Sequence, residues 1–154
     1  MKLLRPILLG GLVAGALDIT YAFIHFGLAV GASPIRIGQS VAAGLVGTEV
    51  AFAGGFGMGL FGLALHFLMA TMMAAFFVLL ASRIPALIRQ PWITGPAYGL
   101  GLYFMMNYIV VPMSNAAHHG PPQGQFLVGA LFTHTVLVGL PIALIAKPYL
   151  DRSA

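Results

Sequence analysis

The chain contains no cysteine, and among its 154 residues only three are acidic: Asp18, Glu49 and Asp151. The first absence excludes disulfides, thiolate metal sites and cysteine nucleophiles together. The second belongs to a charged fraction of 6%, against roughly 25% in soluble domains, so a water-solvated surface is excluded as well. Basic residues are scarce too. The seven Lys and Arg form no run, and a pI near 9.9 therefore does not amount to a nucleic-acid patch. There is no phosphate-binding loop, HExxH helix or nucleophile elbow, and Ser33, Ser40 and Ser114 have no base at a motif spacing, so nothing in the residues supports an enzyme.

What is present is apolar. Hydrophobic residues make up 60% of the chain and the mean hydropathy is +0.98. These values predict an all-α integral membrane protein, residues 1–154 forming one membrane domain whose first partner is the lipid bilayer. The longest uncharged run, Gly57 to Ala81, is long enough as a helix to cross the roughly 30 Å of hydrocarbon, yet it contains His66. Further spans are expected at about 7–30, 92–113 and 126–146. Between the first two, Ser33-Pro34 has the chemistry of an N-cap followed by proline at the first helical position. Ile37, Val41 and Leu45 then recur every fourth residue, predicting a short amphipathic helix at 34–46, with a re-entrant loop as the competing reading.

Charge sets the orientation. With four spans and the N-terminus inside, Lys2, Arg5, Arg83, Arg89, Lys147 and Arg152 are cytoplasmic and Arg36 alone is outside, which predicts a four-helix bundle with both ends in the cytoplasm. The basic start and Ala14-Gly15-Ala16 imitate a signal peptide, but apolar sequence continues to Val30 and argues against cleavage there.

Within this frame the polar residues gather at one depth. Asp18, Tyr21 and His25 follow Gly11 and Gly15 along one face of the first span; Tyr103 and Asn107 share a face of the third; His66 and His134 lie at nearly equal depth in the second and fourth. An ionisable side chain in such a segment must be neutral, paired or hydrated. The expectation is a pocket in the outer half of the bundle, built from these seven residues, that binds or translocates a small molecule or protons. The competing readings are an accessory subunit whose polar residues are interhelical glue worth about 0.6–2 kcal/mol per contact, and a haem held between His66 and His134. His118-His119 in the polar loop 114–125 is a weak candidate for metal binding, lacking a third spaced ligand. Met69, Met72 and Met73 read as apolar packing. Glycine-rich faces at Gly11, Gly15, Gly95, Gly99 and Gly101 predict close helix approach, within the chain or with a second copy or larger complex.

The segment from His66 through Pro85, the run Asn107-Tyr108-Ile109-Val110-Val111-Pro112 and the run Leu131-Phe132-Thr133-His134 resemble the YagU-like group of bacterial inner-membrane proteins. The likeness covers mainly residues 62–146. It implies a small multi-span protein of the bacterial cytoplasmic membrane, with histidines in the second and fourth spans here as recurring features. Asn107 departs from that pattern, which has histidine at its position.

Overall fold

The structure, a computed structural model, describes residues 3–117 and 120–151. All the regular structure in those residues is helical. The apolar runs become α1 (Leu4–Val30), α4 (Gly55–Arg83) and a helical path over Gly124–Leu150, and these three are long and apolar enough to cross a membrane. Between the first two lie α2 (Pro34–Val46) and α3 (Thr48–Ala53), and the short α5 (Ala86–Arg89) follows α4. Residues 91–113 are helical throughout. They comprise α6 (Pro91–Met105), a π-helical stretch Met106–Val110 and one closing turn, α7 (Val111–Met113). The last path is likewise composite: α8 (Gly124–Phe132), a π-helical stretch Thr133–Gly139 and α9 (Leu140–Leu150).

Each π stretch ends two residues before a proline, Val110 before Pro112 and Gly139 before Pro141. A proline ring collides with the carbonyl four residues back, here in Tyr108 and Leu137, and widening the turn relieves that collision. The wider spacing is visible in the bonds from the Val111 and Leu140 amides to carbonyls five residues earlier, in Met106 and Thr135. Proline alone does not decide the matter, because Pro96 and Pro148 sit in ordinary α-helix.

Glycine sets which helices meet. A Cβ on Gly11 would strike Thr71 and one on Gly15 would strike Phe67, so α1 and α4 approach almost backbone to backbone. Gly99 and Gly139 do the same for α6 against the second π stretch. Of the glycines expected to admit another helix, Gly11, Gly15, Gly95 and Gly99 admit one from this chain, whereas Gly101 faces open space. At α2, Ile35, Gly38 and Ala42 all face the single turn Gly59 to Gly62, so α2 crosses α4 instead of running along it. The Ser33 hydroxyl caps α2 by accepting from the Arg36 amide at 3.2 Å, and Gln39 fixes the corner by donating to the Gly55 carbonyl at 3.0 Å. The loop after α7 closes the other end of α2, where the Asn115 amide and side chain donate to the carbonyls of Gly44 (3.0 Å) and Leu45 (2.8 Å).

The packed core lies toward the end that carries both termini. There Ala14, Ala74, Phe77, Val78, Ala81, Ile142, Ala143 and Ala146 bury one another completely or nearly so, with Leu3 and Leu150 nearby. Lys147 fastens this end, donating to the Ile88 carbonyl at 3.1 Å and pairing with Asp151 at 2.8 Å. Side chains on the bundle's outer surface are apolar as well: Phe76, Trp92 and Ile93 are each more than 60% exposed.

Candidate functional site

The polar residues lie toward the other end, beside α2. There α1, α4, the first π stretch and the second π stretch surround two adjoining cavities of about 230 and 220 Å³. Asp18, Asn107 and His134 line both. Tyr21 and His25 belong to the first and His66 to the second, while the Tyr103 ring lines neither and makes an edge contact with the His134 ring, centroids 6.0 Å apart. Six of the seven residues expected at the site therefore line cavities, and the seventh supports one of them from behind.

The close α1–α4 approach explains the position of His66. Its Nε2 donates to the Gly15 carbonyl at 2.9 Å and lies 3.9 Å from the Asp18 carboxylate. A carbonyl only accepts, so Nε2 carries the proton, and in the neutral ring Nδ1 is left as an acceptor. His134 shows the converse. Its Nδ1 donates to the Ala130 carbonyl at 2.8 Å, which leaves Nε2 as the acceptor.

The π stretches aim these groups. Thr133, His134 and Thr135 each donate from the side chain to the carbonyl four residues back, at 2.8, 2.8 and 2.7 Å, and Asn107 does the same to Tyr103 at 2.9 Å. These bonds hold the side chains against the widened turns and leave the Asn107 Oδ1 free of them. With the Asp18 carboxyl, the His134 imidazole and the Asn107 amide oxygen, the shared wall is rich in acceptors, and His66 adds a second imidazole on the side of the second cavity. His25 adds an open valence. Its ring stacks on Tyr21, with Nδ1 3.4 Å from the Tyr21 hydroxyl, and packs edge-on against Phe126, while its buried Nε2 has no hydrogen-bond partner among the described residues. Orphaned buried atoms of this kind mark the place of a water or ligand. Gly129 provides the room, since a Cβ there would come within 3.2 Å of that nitrogen.

Sequence reasoning missed several parts of the wall. Val41 of α2, Met69, Met73, Met106 and Val138 line the second cavity, and Pro122 and Phe126 the first. Val41 belonged to the apolar stripe of the predicted amphipathic helix, but spacing alone could not say what that stripe covers.

The residues do not fit haem. His66 and His134 share a cavity of about 220 Å³, below the roughly 300–1,000 Å³ of sites for drug-sized ligands, and the His66 Nε2 is committed to Gly15. No group of three His, Asp or Glu able to hold a metal ion occurs among the described residues. His118 and His119 lie outside them. No protein-family model, curated protein or solved structure matches the chain.

Proposed function

We propose that this is a four-span integral membrane protein, with both termini in the cytoplasm and α2 at the outer interface, whose paired cavities bind a small hydrogen-bonding molecule or protons. Three helices long and apolar enough to cross support the membrane reading, and residues 91–113 supply roughly 34 Å for the fourth crossing. The six-to-one distribution of basic residues supports the orientation. The likeness to the YagU-like group adds the bacterial inner membrane as compartment and rests on its motifs alone.

One observation carries the binding reading: Asp18, Asn107 and His134, from three different helices, are common walls of two cavities, and an orphaned His25 nitrogen borders one of them. His66 does tie α4 to α1 through the Gly15 carbonyl, but Asn107 and His134 bond to carbonyls of their own helices and so join no helices together. Volume limits the occupant. A dry cavity of about 150 Å³ holds benzene, so cavities of about 220 and 230 Å³ accept a one-ring molecule or a few waters. An acceptor-rich wall selects a ligand that donates. Phenol is the simplest probe, and its binding to the protein in lipid nanodiscs should saturate, above empty nanodiscs, and weaken about ten-fold or more in Asp18→Asn and His134→Ala. Phenol binding that is unsaturable, or indifferent to both substitutions, overturns the reading.

A further inference from the structure

On the side between α4 and α6 the second polar cavity is walled by the methionines Met69, Met73 and Met106. The backbones of these two helices stay apart, α4 packing on α1, α2 and α9 and α6 on α9 and the second π stretch, and Tyr98 bridges them with its ring against Phe76 and Phe77. The space left between them is a cleft of about 510 Å³, open along one side and lined by Met69, Met72, Met73, Phe76, Met105 and Met106 among others. Met69, Met73 and Met106 also line the polar cavity, so the two spaces share a wall.

We propose, building on the binding reading above, that the cleft receives the hydrocarbon tail of a single-chain amphiphile whose donor-bearing head, a hydroxyl or phenol, seats against Asp18, Asn107 and His134. Four observations lead there. The cleft runs along α4 from Met69 to Phe76, roughly 10 Å at 1.5 Å per residue, a length suited to a chain and not to a compact polar solute. Its methionines are flexible and polarisable, the side chains best able to follow a mobile alkyl chain. Its single side-chain hydroxyl, on Tyr98, already donates to the Met73 carbonyl at 2.7 Å, so no unpaired side-chain donor remains to disfavour hydrocarbon. Finally, Asp18, Asn107 and His134 gather oxygen and nitrogen acceptors at the head end of the path, the Ala130 carbonyl having taken the Nδ1 proton of His134 and the Tyr103 carbonyl an amide proton of Asn107. A lipid acyl chain alone would satisfy the first three observations but not the fourth, and that difference decides the experiment.

The full-length protein in lipid nanodiscs is titrated with tritiated dodecan-1-ol, with empty nanodiscs as background and dodecyl methyl ether and phenol as competitors. The ether has the same tail without the donor. Gly101→Phe blocks the cleft: Gly101 lines it, and a Cβ there meets nothing within 4 Å, so the ring enters open space. Met72→Trp is a second block at a half-exposed position. Expected are saturable binding of dodecan-1-ol, a preference of about ten-fold or more over the ether, and a comparable loss in either blocked variant with phenol binding unchanged. Equal displacement by alcohol and ether makes the cleft a plain acyl-chain site and overturns the proposal, as does indifference to both blocks. Phenol binding retained with no gain from the tail also overturns it while sparing the polar-cavity reading. Loss of phenol binding in the wild type overturns both.

Discussion

The two ends of the bundle are built from similar helices to different standards of packing. At the end with the termini, Ala74, Ala81, Ala143 and Ala146 close around Phe77, Val78 and Ile142, and none of these is more than 1% exposed. At the α2 end the same helices surround two cavities, both π stretches occur, and a buried imidazole nitrogen has no hydrogen-bond partner among the described residues. Small residues permit close approach at either end, so the difference is not one of size alone. It comes from Pro112 and Pro141, which widen the helices ahead of them, and from side chains that spend their donors on local carbonyls. The first end holds the helices in register, and the second uses that register to place polar groups around a space. A space of about 420 Å³ also lies at the end with the termini, beside Leu3 and Leu150, but cavities that gather intramembrane polar groups are the ones that point to function.

The comparison breaks most sharply at the packed end. Phe77→Ala should cost about 3 kcal/mol or more in reversible unfolding from detergent, since the ring is buried and its removal leaves a cavity. Phenol affinity of the molecules still folded should be unchanged. Gly99→Ala should cost about 2 kcal/mol and weaken binding too, because the added methyl meets the backbone of His134 and Thr135 and pushes the second π stretch away from α6. Asp18→Asn keeps the size and most of the hydrogen bonding of the side chain, so its stability should stay within about 1 kcal/mol of wild type while binding falls about ten-fold. The mildest change sharpens the comparison instead of breaking it. Pro112→Ala with Pro141→Ala removes both ring collisions and should leave stability equal or slightly improved. Amide exchange should then show regular α-helical protection across 106–110 and 133–139, together with several-fold weaker phenol binding as Asn107 and His134 rotate away.

Much of the helical layout was legible because hydropathy and punctuation are local. The predicted extents 57–81 and 126–146 differ from α4 and the Gly124–Leu150 path by only a few residues, and Ser33-Pro34 marked the start of α2. Asp18, His66, His134 and Asn107 were visible because a polar group in an apolar run stands out by contrast. Neighbour relations were not legible. Hydropathy records that a segment avoids water but not which helix lies beside it, so neither the open α4–α6 side nor the crossing of α2 over Gly59 could be read. The π stretches escaped for a related reason: Pro112 and Pro141 announced a disturbance, but Pro96 announced the same one and the helix there stays regular. The short helices α3 and α5, six and four residues long, are set by tertiary contacts and carry no periodic signal of their own.

The most direct measurement takes one preparation of Asp18→Asn in nanodiscs and determines both its unfolding free energy and its phenol isotherm beside wild type. If the α2 end is a binding site, stability stays within about 1 kcal/mol and affinity drops about ten-fold or more. A protein destabilised well beyond that margin, yet binding phenol as wild type does, would show that the polar groups hold the helices together and bind nothing.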